Sequence, residues 1–279
     1  MSIDPKEIAF AIITYYPQWY KGKLKSTSHT DKIRGDLALE FIQKAISKNY
    51  KVVLADGESS KSFREQLSNF KEMKIIRRRS SKSSPAKRQA LRVASKLPEV
   101  KVIIITEPEK VSLINNVLNI VKPILKGKTD IVVAKREAML FKKSFPDYMY
   151  KSEIEANREY NKQLRLNNLL SQKDGDLDMF FGPRIFANTP KILSLFTRNF
   201  LKDANDIDPE KQANTLYFPI VIALKLGLKV KGVEIPFSYP KIQKDNEEKG
   251  AKEFFMEKRR VQKLSMLLEL MHLLNYLNK

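Results

Sequence analysis

Along this chain, short runs of contiguous apolar residues alternate with longer stretches whose apolar residues recur every three or four positions. Runs of the first kind read as strands buried on both faces, and stretches of the second kind as helices packed by one stripe. The strands expected are Ile8 to Tyr15, Lys51 to Ala55, Met73 to Ile76, Val102 to Ile105, Asp130 to Ala134 and Leu228 to Phe237. Asp31 is expected to cap a helix running to Lys48, with Ile33, Leu37, Phe41 and Ala45 on one stripe. Further helices are expected near 61 to 70, from Ala86 to Lys96 behind Pro85, near 110 to 122, near 151 to 170 and from Pro190 to Phe200. Asp208, Pro209 and Glu210 form a helix start, and Gly227 ends that helix. A final helix from Lys252 to Leu277 follows. Alternating strand and helix of this kind predicts an α/β fold: a mostly parallel sheet with helices on both faces, plus the C-terminal helix.

Composition narrows the chemistry. The 279 residues are 42% hydrophobic, enough for a substantial core and too few for a membrane protein. The chain has no cysteine, which excludes disulfides, thiolate zinc sites and cysteine nucleophiles, and fits a reducing compartment. With only His29 and His272, a histidine-rich metal site is excluded as well. Ile8 to Ile13 follows Asp4 and Glu7 without a basic leader or cleavage site, so a buried first strand is expected in place of a signal peptide, and a cytoplasmic protein with it.

The net charge of +20 points to an anionic partner, membrane face or substrate. Residues 71 to 92 carry nine basic side chains against the single acid Glu72, which reads either as a solvated surface or as a phosphate-binding stretch. Nucleic acid is not expected there, because readers of nucleic acid interleave stacking aromatics and this stretch has only Phe70 at its edge. In the last helix, Lys258, Arg259, Arg260 and Lys263 precede a tail apolar on most sides. Such a helix packs on the core, in a homodimer or along an anionic membrane surface as a peripheral contact.

Four groups of residues could carry chemistry. The run Lys101 to Thr106 ends in Glu107-Pro108-Glu109, which puts two carboxylates at the lip of a strand where they could share a divalent cation, Mg²⁺ or Mn²⁺; the alternative is a solvated turn. Asp56, before Gly57, reads as a lip carboxylate able to accept from a base edge or ribose hydroxyl, or as an ordinary Asp-Gly turn. Lys87 and Arg88 fall in the first turn of a helix behind a serine-rich loop, where backbone donors and cations could meet phosphate. Asp178 to Arg184 joins an acid, a glycine and an arginine, suited to a hydroxyl proton and an anion or to a structural Asp-Arg pair.

The order of Ile12-Ile13-Thr14-Tyr15-Tyr16-Pro17, Val53 to Ser59, Lys87-Arg88-Gln89-Ala90 and Ile104 to Glu109 resembles the nucleotide-binding half of GT-A glycosyltransferases, family 2 above all. Asp178 to Arg184 and Tyr217 to Pro236 look like the second half of dolichyl-phosphate-mannose-synthase-like members. The resemblance implies a GT-A-like domain over residues 1–250, followed by the helix of residues 251–279. It implies transfer of a sugar from a nucleoside-diphosphate donor to an anionic acceptor. Thr14 and Tyr15 would meet the base, Asp56 the nucleoside, Glu107 and Glu109 the metal ion, and Asp178 would be the base or orient the acceptor near Arg184. The chain departs from the family where Glu-Pro-Glu replaces Asp-x-Asp and Phe181 replaces a small polar residue, which keeps open a catalytically silent protein binding a polyanion or nucleic acid. A nucleotidyltransferase is a third reading, weakened by the missing glycine-rich first loop.

Overall fold

The computed structural model describes residues 3–200 and 213–278; the helix start expected at Asp208, Pro209 and Glu210 lies outside them. Seven strands, β1 (Ile8–Thr14), β2 (Lys51–Asp56), β3 (Lys74–Arg77), β4 (Val102–Ile105), β5 (Ile131–Arg136), β6 (Arg184–Ala187) and β7 (Val230–Ile235), form one sheet. Their order is β3-β2-β1-β4-β6-β5-β7. All run parallel except β6, which is antiparallel to both β4 and β5. The expected architecture, mostly parallel with helices on both faces and a C-terminal helix, is the one found.

Strand β6 is the strand the sequence did not announce. It is four residues long, and its first residue is a buried arginine, so no apolar run marks it.

The strands read as continuous apolar runs because both faces are covered. Ile8, Phe10 and Ile12 enter one core with Phe41 of α1 (Thr30–Ser47), Phe63 of α2 (Lys61–Leu67), Ile120 of α4 (Val117–Leu125) and Phe141 of α5 (Ala138–Ser144). Ala9 and Ala11 enter the other core with Leu91 of α3 (Ser83–Ala94) and Tyr160 of α6 (Asp147–Leu166). That second layer also takes in α7 (Pro190–Thr197), α8 (Ala213–Leu216) and α9 (Phe218–Lys225). The division follows from handedness. The chain steps β1 to β2 to β3 in one direction through α1 and α2, then returns past β1 to β4. Right-handed crossovers then place α3 on the opposite face. The reversal leaves a crevice beyond the carboxyl ends of β1 and β4, where open α/β sheets bind ligands.

Two helix starts differ from expectation, and the reason is local hydrogen bonding. Asp31 sits in the first turn of α1, and its Oδ2 accepts from the Gln18 N–H at 2.9 Å, so it ties down the preceding loop instead of capping. Helix α3 starts at Ser83, which moves Lys87 and Arg88 into its second turn, where the pull of the helix dipole has faded. The helix expected near 110 to 122 is a 3₁₀ turn, Val111–Asn116, followed by α4.

After β7 come α10 (Lys241–Asp245), a single π-helical turn (Asn246–Gly250) and α11 (Lys252–Leu277), which packs along α6. Helix α11 buries Phe255, Met266, Leu270, Leu273 and Leu274. Its other side leaves Val261, Leu264 and Leu268 exposed, so its apolar residues do exceed one core-facing stripe. Among the described residues, no helix is long and apolar enough to cross a membrane.

Candidate functional site

The parallel register brings Thr14 at the end of β1 opposite Asp56 at the end of β2. Asp56 is buried, and its Oδ1 accepts from the Thr14 hydroxyl at 2.8 Å and the Ser59 hydroxyl at 2.6 Å. Its Oδ2 accepts from the Ser59 N–H at 3.1 Å, which leaves room for one further donor. Beside it, Tyr15 is 57% exposed with the Arg78 guanidinium carbon 6.0 Å from its ring. Tyr15, Gly57 and Arg77 to Arg79 line an open concavity there. The basic stretch is thus divided: Arg77 and Arg79 are exposed and Arg78 is half-buried, while Lys87 and Arg88 are buried on α3.

Beyond β4 the two glutamates part company. Glu107 forms an ion pair with Lys110 at 2.9 Å, and burial alone would raise its carboxyl. The Lys110 and Lys87 ammonium groups, with the Lys110 hydrogen bond, outweigh burial and hold the carboxyl down to about 2. Burial in turn lowers Lys87, against the stabilising charge of Glu107. The carboxylate lies against Gly182, which is at φ +101°; a Cβ there would stand 2.8 Å from Glu107 Oε2. Gly182 reaches this spot because antiparallel β6 begins at the edge where β4 ends, Ile105 facing Arg184.

Glu109 is a different kind of group. It is buried, accepts from the Tyr16 hydroxyl at 2.8 Å and pairs with Arg34 at 2.6 Å. The two carboxylates thus face different cations, Glu107 the Lys110 ammonium and Glu109 the Arg34 guanidinium. Among the described residues, no group of three or more acidic, histidine or cysteine side chains could hold a metal ion. Glu107 is the one of the pair whose partner, Lys110, approaches through a single flexible ammonium.

Asp178 and Arg184 are also placed otherwise than expected. Arg136, 3% exposed, donates to Asp178 through Nε and Nη2, both at 2.7 Å, and to Glu153 through Nη1 at 2.5 Å. Asn157 adds a further donation to Asp178 at 2.8 Å. Burial would raise the Asp178 carboxyl, but the Arg136 charge and these bonds hold it below the usual range. With its oxygens so occupied, Asp178 braces the buried Arg136. Arg184 is fully buried and donates to the carbonyls of Leu216, Pro183 and Met179 at 2.8, 3.0 and 2.6 Å. It ties β6 to the chain before and after it, and it is not open to an acceptor.

A cavity of about 180 Å³ opens beside Glu107 and Glu109. Its walls come from α1 (Arg34), α6 (Glu153), the segment after β7 (Tyr239, Gln243, Glu247) and the first turns of α11 (Lys258, Arg259). Arg259 lies 3.4 Å from Glu153. The Glu109 charge raises Arg34 further above its ordinary value, against the cost of burial. Sequence reasoning passed over Arg34, Tyr239, Gln243 and Glu247. Each lies on a helix or loop where a polar residue reads as surface, and no local motif marks any of them.

No protein-family model matches the chain, and no curated protein matches it. Among solved structures it is similar to glucosyl-3-phosphoglycerate synthase from Mycobacterium tuberculosis, 11% identical, over 92% of this chain and 80% of that one, with a TM-score of 0.48. That structure contains Mn²⁺, UDP and glucosyl-3-phosphoglycerate. It is similar to a putative nucleotide-diphospho-sugar transferase from Desulfovibrio desulfuricans, 10% identical, over 97% and 98% of the two chains, with a TM-score of 0.45. A 4-diphosphocytidyl-2C-methyl-D-erythritol synthase from Anaerococcus prevotii is 13% identical over 90% and 100%, with a TM-score of 0.49. At such identities residues do not transfer from one protein to another, and the functional reading rests on the geometry of the site itself.

Proposed function

We propose that this protein is a GT-A-like glycosyltransferase that moves a sugar from a nucleoside-diphosphate donor to an anionic acceptor. The observation that carries this reading is the ionised Glu107, held between Lys87 and Lys110 against Gly182 at the crevice between β1 and β4. A charge cluster at a topological switch point suits a diphosphate, which exchanges the lysines' existing partner for its own oxygens. On one side of it, Asp56 Oδ2 can take a ribose hydroxyl or base edge, and the exposed Tyr15 ring can stack on the base. On the other side lies the cavity.

In the transfer, the acceptor oxygen forms a bond to the anomeric carbon as the bond to the diphosphate oxygen breaks. The diphosphate leaves with the electron pair and takes up the proton that a hydroxyl acceptor sheds, and Lys87 and Lys110 face the charge that develops on it. Electrostatic stabilisation of that kind is commonly the largest single contribution to such a barrier. A Mg²⁺ or Mn²⁺ ion fits this reading on one carboxylate: Glu107 would hold it together with donor phosphate oxygens, as small hard cations prefer, with Lys110 moving aside. Bound there, the ion would neutralise the leaving group. Glu109 would take no part, since Arg34 and Tyr16 occupy it.

Calorimetric titration with ADP, CDP, GDP and UDP, with and without Mn²⁺, tests the reading. One of the four should bind saturably, and Asp56→Ala should weaken it by at least about tenfold, the loss of one good hydrogen bond to a buried carboxylate. Absence of binding by all four would remove the transferase reading, and unchanged affinity in the variant would remove Asp56 from the site.

A further inference from the structure

The cavity beside Glu107 contains an atom with nothing to bind. Glu247 is 2% exposed, and its Oε1 accepts from the Tyr239 hydroxyl at 2.7 Å and from the Gln243 amide at 3.2 Å. Its Oε2 is buried with no hydrogen-bond partner, and so are the Nε atoms of Arg34 and Arg259, which line the same cavity. Buried polar atoms are seldom left unsatisfied, and those that are call for a ligand, a water or a strained function.

The placement of Glu247 is built in. It lies in the π-helical turn Asn246–Gly250, a form that appears mostly as single turns at functional sites. Asn246 is fully buried and pins that turn by donating to the Thr27 carbonyl at 2.7 Å and the Thr30 hydroxyl at 3.2 Å. Gly250 permits the approach, since a Cβ there would stand 2.5 Å from the Thr27 carbonyl oxygen. The turn also feeds α11, whose Lys258 and Arg259 form the facing wall. Arg34 and Arg259 each have one carboxylate partner, Glu109 and Glu153, whereas among the described residues Lys258 is in no ion pair.

We propose that this cavity is the acceptor site and takes a hydroxylated anion. Its phosphate or carboxylate group lies against Lys258, Arg34 and Arg259, and its hydroxyl donates to Glu247 Oε2. The word acceptor rests on the transferase reading; the binding chemistry does not. The three cations supply the charge-assisted donors that an oxyanion needs, and the spare carboxylate oxygen supplies what a hydroxyl needs. Neutral sugars satisfy only the second demand, and sulfate, which has no hydroxyl, only the first. The site also gives α11 a task that its sequence hid: its basic first turns close a pocket.

Calorimetry with glycerol 3-phosphate, sulfate and glycerol, each with and without UDP, tests the proposal. Glycerol 3-phosphate should bind saturably, sulfate more weakly and glycerol not at all. Lys258→Met, at an exposed position where folding is not at stake, should weaken both anions by about tenfold. In Glu247→Gln the amide oxygen stays with Tyr239 and Gln243, which puts an NH₂ donor where Oε2 stood. That variant should lose about tenfold for glycerol 3-phosphate but bind sulfate at least as well. Thermal melting of both variants confirms that they fold. Equal binding of glycerol, failure of both anions to bind, or variants that bind like the wild type would each overturn the proposal. Nucleoside-diphosphate titrations on the same samples separate the two readings: diphosphate binding without anion binding sinks the acceptor site alone, and the reverse sinks the transferase alone.

Discussion

The two halves of the sheet use charge in opposite ways. In the parallel half, β3-β2-β1-β4, the polar residues at the carboxyl ends keep something in reserve: Asp56 has an acceptor position left, and Glu107 is held by lysine ammonium groups. In the half around β6, β5 and β7, the acid and the arginine that stand out in sequence, Asp178 and Arg184, are consumed in buried braces. A parallel βα unit satisfies its backbone within the sheet, so its strand lips are free for ligands. A short antiparallel strand wedged between two others has no crossover helix of its own, and side chains such as Arg184 must anchor it. A charged residue beside a glycine is therefore a weaker sign of chemistry in the second half than in the first.

The strongest test of this contrast is Asp178→Ala. If Asp178 is a brace, its removal leaves Arg136, 3% exposed, with Glu153 as its remaining acid, a loss worth about 3–5 kcal/mol of stability. Urea unfolding of the variant reads that loss directly. A variant as stable as the wild type but without turnover would return Asp178 to the chemistry and break the comparison.

The contrast also explains how much was legible in advance. Six of seven strands and the path of α11 follow from apolar periodicity, because elements buried on both faces or along one stripe leave a direct mark on the sequence. Thr14, Asp56 and Glu107 were legible as lip residues because a strand end fixes where they stand. The partners of Glu109 were not legible, because two residues of separation from Glu107 say nothing about which neighbours will claim a side chain. Here Tyr16 and Arg34, 93 and 75 positions earlier in the chain, claim it. The cavity wall was illegible for the same reason: Arg34, Glu153, Glu247 and Arg259 meet only in three dimensions.

A smaller effect sharpens the other side of the comparison. The Glu107 carboxyl is held at about 2 in the folded protein and titrates near the ordinary glutamate value, roughly 4.3, when unfolded. The folded state thus favours the charged form, and the stability this contributes is complete above the unfolded value. It is lost as pH falls from there towards 2, and its size is at most about 3 kcal/mol. Glu107→Gln should flatten this acid limb relative to the wild type in urea titrations between those pH values. Superimposable limbs would mean that the lysines do not hold Glu107 as described.

Gly182→Ala should cost on the order of 2 kcal/mol, from placing a side chain at φ +101° and pressing its Cβ on Glu107 Oε2. Thermal unfolding measures the cost. The double variant with Glu107→Gln tests the mechanism: if the carboxylate is what the Cβ meets, the two penalties will not add, since the Cβ and the carboxylate are in direct contact. Additive penalties would assign the cost to the backbone alone.

The smallest expected effect concerns the two sides of α11. Leu270 is fully buried against the core, whereas Leu268 is 61% exposed on a stripe it shares with Val261 and Leu264. Truncating Leu270 to Ala belongs with core deletions of about 2–5 kcal/mol. Leu268→Lys removes no core packing and should change stability by less than about 0.5 kcal/mol. Denaturation at two protein concentrations, with light scattering alongside, tests whether the stripe is bare in solution. A loss well above that bound, growing with protein concentration in the wild type, would mean that a second copy covers the stripe. In that case α11 would be joining two molecules along one side while closing a pocket with its first turns, and the cavity would have to be read as part of a dimer.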